Sequence, residues 1–102
     1  MSLRRVRFTE GARAQIAEQK LWWAQNRDHV EVFGQELQEA VAFLRISPAA
    51  GTGYLRSAIP GVRRVYLRRL SSHLYCTFDD TEVIVRAFWH AKRKKGPSLA
   101  AR

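Results

Sequence analysis

The C-terminal half of the chain alternates between hydrophobic and polar positions over three short segments, residues 62–67, 73–78 and 83–90. A period of two residues is typical of β-strands that bury one face. The connections are short and polar, and Asp79-Asp80-Thr81 favours a turn between the last two segments. The pattern therefore predicts three consecutive antiparallel strands.

In the N-terminal half, hydrophobic residues recur at spacings of three and four, as on the buried face of a helix. A first helix is expected after Thr9, whose hydroxyl can cap it. A second helix is expected between Asp28, a candidate cap, and Ser47-Pro48, because proline disfavours the helical conformation at the preceding residue. The predicted apolar faces are Ala12, Ile16 and Trp23 in the first helix, and Val30, Phe33, Leu37, Ala40, Val41 and Leu44 in the second.

Residues 3–8 predict a short first strand, and residues 49–61 predict a connecting loop, so the element order is β-α-α-β-β-β. This order indicates an α+β fold in which a helical hairpin packs on one face of a small antiparallel sheet. One domain is expected over residues 1–102, with a flexible tail at 96–102 after Gly96-Pro97. On the last strand, simple alternation turns Val83, Val85, Ala87 and Trp89 toward the helices.

Composition supports a single core and suggests a charged partner. Of the 102 residues, 46% are hydrophobic, which is enough for one packed domain. Lys and Arg number 18 against 9 Asp and Glu, giving a net charge of +9. Such a charge attracts nucleic acid, acidic protein or an anionic membrane surface.

Cysteine and histidine placement predicts neither a metal site nor a cofactor. Cys76, the single cysteine, alternates with Leu74 and Phe78 and is expected to be a small buried hydrophobe. The histidines show no metal-ligand spacing. No segment is apolar over the length of a membrane span, and the N-terminal residues do not resemble a secretory signal. We therefore expect no membrane association and a cytoplasmic location.

Arginines at strand spacing, Arg63, Arg64 and Arg86, are followed by the cluster Lys92-Arg93-Lys94-Lys95. A guanidinium group can hold a phosphate or carboxylate through two hydrogen bonds. The alternative is an ordinary solvated sheet face whose arginines cover aromatic neighbours. His90 precedes the basic cluster and is either a general acid or base, or a residue that closes the strand through a backbone hydrogen bond.

Several of these segments resemble the RelE/ParE toxin superfamily. The resemblance rests on residues 62–67, on His73-Leu74-Tyr75, and above all on residues 83–93 with the ending Trp89-His90-Ala91-Lys92-Arg93. The two preceding helices, followed by Pro48, fit the layout of that superfamily. The resemblance covers nearly the whole chain.

This resemblance implies the toxin of a bacterial type II toxin–antitoxin pair. RelE-like members cut messenger RNA in the ribosomal A site with basic residues and a C-terminal tyrosine or comparable acid/base group, whereas ParE-like members trap the cleaved-DNA intermediate of DNA gyrase. The C-terminal tyrosine is missing here, which favours the gyrase branch without catalysis. The target-binding residues are then expected to be Arg86, His90, Lys92, Arg93, Lys94 and Lys95. In the alternative ribonuclease, Arg63, Arg64, His90 and Arg93 hold the phosphate and transfer protons.

The resemblance also implies a ParD-like antitoxin that folds along the toxin. Leu21 and Trp22 lie outside the apolar stripe of the first helix and are candidate anchors for it, together with Arg63 and Arg64. Alternatively, Trp22 packs under the loop at 49–61. A third interpretation, a plain nucleic-acid-binding module, is disfavoured because the sequence shows no aromatic platform interleaved with the charges beyond Tyr66, Tyr75 and Phe88.

Overall fold

Two helices lie against one face of a five-stranded sheet in the computed structural model, which describes residues 3–99. The strands are β1 (Arg5–Phe8), β2 (Thr52–Gly53), β3 (Arg63–Leu67), β4 (Ser72–Phe78) and β5 (Glu82–His90). The helices are α1 (Glu10–Asn26) and α2 (Glu31–Ile46). The predicted α+β fold and its β-α-α-β-β-β order are confirmed, and the two-residue strand β2 is added within the predicted loop.

The strands are arranged in the order β1-β5-β4-β3-β2. Strands β3, β4 and β5 pair antiparallel, as predicted, and the added strand β2 pairs antiparallel with β3, but β1 pairs with β5 in parallel. The sheet is therefore mixed. Hydrophobic alternation shows which face of a strand is buried but carries no information on strand direction, so the sequence did not reveal this pairing.

Two of the three predicted helix ends agree with the structure. Thr9 caps α1, since its Oγ1 accepts a hydrogen bond from the backbone N–H of Ala12 at 3.1 Å. Ser47 ends α2 before Pro48. The prediction that Asp28 caps α2 was wrong: the cap residue is Val30, which makes no side-chain capping bond and is 45% exposed instead of lying on the apolar face.

The main core lies between the helices and the sheet. Trp23, Phe33 and Phe88 form a chain of tilted rings, with centroid distances of 6.2 Å and 5.7 Å. The predicted helical residues Ala12, Ile16, Leu37, Ala40 and Leu44 belong to the same cluster. The two amphipathic stripes therefore meet the sheet as the periodicity predicted.

A β-bulge in β5 changes which residues of that strand face the helices. Tyr75 pairs with Ala87 and Cys76 pairs with Val85, so Arg86 is an extra residue in the strand. A bulge of this kind shifts the alternation by one position. Val83 and Val85 face the helices as predicted, but Phe88 replaces Ala87 and Trp89 there. The prediction for Ala87 and Trp89 was wrong for this reason.

A second, smaller cluster covers the opposite face of the sheet. Val62, Tyr75 and Ala87 are buried there, with Trp89 packed against them. The cover is supplied by Tyr54 and Ile59 from the loop before β3 and by Leu99 after β5. Leu99 of the expected flexible tail therefore makes apolar contacts, and the flexibility of residues 96–99 stays a prediction; residues 100–102 lie outside the described residues.

Candidate functional site: a basic groove beside the second cluster

A groove of about 500 Å³ lies on the sheet face opposite the helices, between residues 53–56 and 93–96. Its basic side chains are Arg56, Arg64, Arg93 and Lys94, and its rings are those of Tyr54, His73, Tyr75 and Trp89. Among the described residues that line it there is no Asp or Glu. We call this the basic groove. It combines positive charge with aromatic surface in one concave site.

Strand register positions the floor of the basic groove. Arg64 of β3 pairs with Tyr75 of β4, and Tyr75 pairs in turn with Ala87 of β5. Nη1 of Arg64 donates a hydrogen bond to the hydroxyl of Tyr75 at 3.3 Å, and the Arg64 guanidinium carbon lies 5.4 Å from the ring centroid of Tyr54. The two tyrosine rings meet edge to face at 4.8 Å. The guanidinium is therefore held between aromatic groups and retains further N–H donors for a ligand.

Trp89 organises the wall formed by the chain after β5. The Arg93 guanidinium carbon lies 4.0 Å from the Trp89 ring centroid, and the indole Nε1–H of Trp89 donates to the carbonyl of Lys95 at 2.7 Å. Nη2 of Arg93 also lies 3.6 Å from the Glu18 carboxylate, but both side chains are solvated, so this pairing is weak. The indole of Trp89 thus holds both a side chain and the backbone of residues 92–95, which we call the basic segment.

His73 is the group lining the basic groove whose ordinary pKa lies nearest to neutrality. Its ring centroid lies 5.1 Å from that of Tyr66 and 6.0 Å from that of Tyr75. Burial, followed by the positive charge of Arg64, lowers the pKa of His73 below its ordinary value of 6.5. The imidazole is therefore neutral near pH 7 and can accept a proton.

The structure brings only part of the predicted basic set together. Arg64, Arg93 and Lys94 line the basic groove. Arg86 lies on the same sheet face at the bulge, where its Nε donates to Thr77 Oγ1 at 2.9 Å. The side chains of Lys92 and Lys95 are exposed beside the groove wall. Arg63 does not line the basic groove, since its guanidinium donates two hydrogen bonds to the carbonyl of Gly51.

His90 lies on the helix side of the sheet. Two residues beyond Phe88, it lines a small pocket of about 150 Å³ with Trp23 and Arg69. Its Nδ1 accepts a hydrogen bond from the backbone N–H of Lys92 at 3.1 Å, which is the contact expected of a histidine that closes a strand. The structure therefore does not gather Arg63, Arg64, His90 and Arg93 into one cluster.

Leu21 and Trp22 are both accessible on α1, with 60% and 42% of their surface exposed. The Arg27 guanidinium carbon lies 5.0 Å from the Trp22 ring centroid, and Trp22 lines the small pocket that also contains His90. Trp22 therefore lies on the helix side, whereas Tyr54 and Ile59 of the loop at 49–61, under which it was alternatively expected, pack on the other side of the sheet.

Sequence reasoning missed Arg56, Tyr54 and His73 as members of one site. A signal for His73 existed, because alternation places it on the same face as Tyr75 and therefore with Arg64. Arg56 and Tyr54 lie in a loop, and no periodicity shows where a loop returns to a sheet. This return adds the ring of Tyr54 to the strand rings of His73, Tyr75 and Trp89.

Among residues 3–99, no group of three or more His, Cys, Asp or Glu side chains is arranged to hold a metal ion. Within the same range, no helix has the length and apolar character needed to cross a membrane.

Comparison with known proteins gives a structural match. No protein family profile matches the chain, and no curated protein matches its sequence. The fold is similar to that of a chain in a solved structure of the chromosomal ParDE TA system from P. aeruginosa, with a TM-score of 0.69. The match covers 86% of this chain and 96% of that chain at 19% sequence identity. At this identity, the similarity shows a shared fold.

Proposed function

We propose that the protein is the toxin of a type II toxin–antitoxin system, that it is ParE-like, and that it inhibits DNA gyrase by binding. The observation that carries the proposal is the fold shared with a chain of a ParDE system over 86% of this chain. The sequence resemblance to the RelE/ParE superfamily, found independently in residues 62–67 and 83–93, supports the same assignment.

The placement of the basic residues favours binding over catalysis. His90 and Arg63 lie on the helix side of the sheet and are each held by a backbone group, whereas Arg64 and Arg93 line the basic groove. A general acid or base must come within hydrogen-bonding reach of the group that it serves, so this placement disfavours a phosphodiester site built from all four residues. We assign gyrase contact to the end of β5 and the basic segment after it: Arg86, His90, Lys92, Arg93, Lys94 and Lys95.

A ParD-like antitoxin is proposed to neutralise the toxin by covering exposed apolar and basic groups. Leu21 and Trp22 offer neighbouring apolar surface on α1, and tryptophan is frequent among the residues that dominate interface energies. Arg63 and Arg64 are the candidate contacts on β3. Because the chain carries a net charge of +9, an acidic antitoxin segment should associate rapidly and lose affinity as salt increases.

Purified gyrase tests the proposal directly. The protein should inhibit supercoiling and cause linear DNA to accumulate when the reaction is stopped with detergent and protease. Neutralising Arg93 and Lys94 together should weaken the inhibition by about tenfold or more, whereas Arg5→Ala, at an exposed position of β1, should leave it intact. Supercoiling that proceeds normally at a large molar excess of folded protein would refute the gyrase assignment.

One observation favours a second candidate, the ribosome-dependent messenger RNA endoribonuclease. The neutral imidazole of His73 shares the basic groove with Arg64 and Arg93, as a proton acceptor beside phosphate-binding groups would. If the protein has this function, messenger RNA should be cut in a translation extract. His73→Gln should abolish the cleavage if His73 is the general base, and His90→Ala should abolish it if His90 is the general base. Intact messenger RNA with the wild-type protein excludes it.

A further inference from the structure

We propose that a pocket on the helix side of the sheet binds a small tetrahedral oxyanion of the phosphate class. The pocket has a volume of about 150 Å³, and its lining includes Trp22, Trp23, Arg27, Arg69, Ser71 and His90. We call it the helix-side pocket. Neither the inhibition of gyrase nor neutralisation by an antitoxin requires a small ion, so the inference goes beyond the proposed function.

Arg27 supplies the main positive charge of the helix-side pocket. It lies in the connection between α1 and α2, and its guanidinium carbon is 5.0 Å from the ring centroid of Trp22 and 5.6 Å from that of Trp23. The indole rings attract the charge but offer no oxygen acceptor. Within residues 3–99, no carboxylate forms an ion pair with Arg27. Its N–H donors are therefore available to an anion.

Arg69 brings a second guanidinium, which α2 holds in place. Its Nε donates to Glu36 at 2.9 Å, and its Nη2 lies 3.6 Å from Glu39. These carboxylates balance much of the charge of Arg69 but leave its Nη1 donors for a ligand. Among the described residues that line the helix-side pocket there is no Asp or Glu. The pocket therefore presents two guanidinium groups and supplies no carboxylate of its own.

His90 and Ser71 add two further donors. Nδ1 of His90 accepts the N–H of Lys92 at 3.1 Å, so the proton of the neutral imidazole is on Nε2. Ser71 has a φ of 50°, in the left-handed region where glycine is more usual, and its carbonyl accepts the N–H of Ala91 at 2.9 Å. A serine at this position adds a hydroxyl that glycine would lack. Donors thus converge from the α1–α2 connection, the β3–β4 connection and the end of β5.

The donors and the volume of the pocket define the class of ligand. A carboxylate has two oxygens, which a single guanidinium can hold, whereas phosphate has four oxygens that can accept from groups on different sides. A volume of about 150 Å³ is a few times the ~30 Å³ share of one water molecule in the liquid, and it is below the about 300–1,000 Å³ of sites for larger ligands. The pocket therefore has room for an ion and a few water molecules, but not for a nucleotide.

An NMR titration of the three indole N–H signals with sodium phosphate tests the inference. Sodium chloride keeps the ionic strength constant, so that general screening does not change. The signals of Trp22 and Trp23 should shift together and saturate at millimolar phosphate, whereas that of Trp89, which lines the basic groove, should shift little. Sulfate should act like phosphate, and acetate should bind at least about fivefold more weakly. O-phosphoserine then shows whether the free ion or a phosphate ester is preferred, and a preference for either is consistent with the inference.

Substitutions of Arg27 test the role of its guanidinium. Arg27→Ala should weaken phosphate binding about tenfold, because one charged hydrogen-bonding group is lost. Arg27→Lys keeps the charge but loses the two parallel donors, and its affinity should fall between those of the alanine variant and the wild type. Arg5→Ala, which removes the same charge from an exposed position of β1, is the matched control and should bind like the wild type.

Equal phosphate affinities of Arg27→Ala and Arg5→Ala, with both proteins folded by circular dichroism, would overturn the inference. So would shifts that never saturate, or acetate that binds as tightly as phosphate. Shifts confined to Trp89 would place the ion in the basic groove and would also overturn it. Gyrase takes no part in this experiment, so the inference and the proposed function can fail separately.

Discussion

The hydroxyl of Thr9 joins the first turn of α1 to the bulge residue of β5, Arg86. Its oxygen accepts the N–H of Ala12 at 3.1 Å, and its proton is donated to the carbonyl of Arg86 at 3.3 Å. A hydroxyl can make both bonds at once, since it has one donor and two acceptor positions. Thr9 is only 3% exposed, so water does not compete for these bonds. One side chain therefore hydrogen-bonds both the N-terminal end of α1 and the bulged strand β5.

Replacing Thr9 with valine, which has nearly the same shape, should destabilise the protein by about 1–3 kcal/mol. The loss combines the missing cap with the missing hydrogen bond to the carbonyl of Arg86. Thr9→Ser keeps the hydroxyl and should cost clearly less. Urea unfolding followed by circular dichroism measures both variants, and a valine variant as stable as the serine variant would contradict the double role of the hydroxyl.

The sequence predicted the parts of the fold that depend on repeated spacing. Phe33, Leu37 and Leu44 recur along α2 with helical periodicity and are packed against the sheet as expected. The face of the sheet on which Ala87 and Trp89 lie could not be predicted in the same way. A bulge is a single extra residue that depends on pairing with another strand, and nothing in the local pattern around Arg86 distinguishes it from regular alternation.

The strand residues of the candidate site could be predicted from the sequence, whereas its loop residues could not. Arg64 and Tyr75 share a face by alternation, and their pairing follows from the hairpin. The return of Tyr54 and Arg56 over that face depends on the path of residues 54–61, which carries no period. His90 was singled out by its basic neighbours in the sequence, but the bulge places it on the helix side, opposite the groove.

Glycine substitutions test how closely the loop before β2 approaches β3. A Cβ atom at Gly51 would lie 2.7 Å from the carbonyl oxygen of Arg64 and 3.1 Å from Cγ2 of Val65. Because the first of these is a backbone atom, the chain must move, and Gly51→Ala should cost about 1–3 kcal/mol. The matched control is Gly34→Ala in α2, where a Cβ has open space and alanine should stabilise by about 0.5–1 kcal/mol.

Thermal unfolding of the two alanine variants provides the comparison. Opposite shifts in melting temperature, downward for Gly51→Ala and upward for Gly34→Ala, are expected. An equal rise in melting temperature for both variants would mean that the backbone near Gly51 adapts without cost and that the close approach to Arg64 is not required.

The pKa of His73 should be measurable by NMR titration and should lie below 6.5, because burial and then Arg64 disfavour the imidazolium. Arg64→Met removes the second cause and should raise the pKa partway toward 6.5. A lowered folded-state pKa means that the unfolded chain takes up the proton first. Stability from His73 is therefore present above pH 6.5 and is lost as the pH falls through the folded-state pKa.

His73→Gln is the control for the stability measurement. The wild type should lose stability as the pH falls below about 6.5, and the glutamine variant should lose less over the same interval. Identical pH profiles for the two proteins would show that the imidazole is not held in its neutral form by the fold.

Cys76 should be unreactive in the folded protein. Its side chain is 1% exposed, and burial raises the pKa of its thiol from 9.0 to about 11, only partly offset by Arg63. At pH 8 the thiol is therefore both protonated and inaccessible, and a disulfide reagent such as DTNB should react only after denaturant is added. Any contribution of this group to stability is present below pH 9 and is lost as the pH rises through about 11. Rapid reaction under native conditions would show that β4 opens locally.

Trp89 should control the order of the basic segment, and trypsin, which cleaves after lysine and arginine, can report on it. Trp89→Phe keeps a ring for the guanidinium of Arg93 but loses the hydrogen bond from Nε1 to the carbonyl of Lys95 at 2.7 Å. Trp89→Leu loses both contacts. Cleavage within residues 92–95 should therefore be slowest in the wild type, faster in the phenylalanine variant and fastest in the leucine variant. Trp22→Phe, on α1, should match the wild type, and equal cleavage of all four proteins would show that Trp89 does not hold this segment.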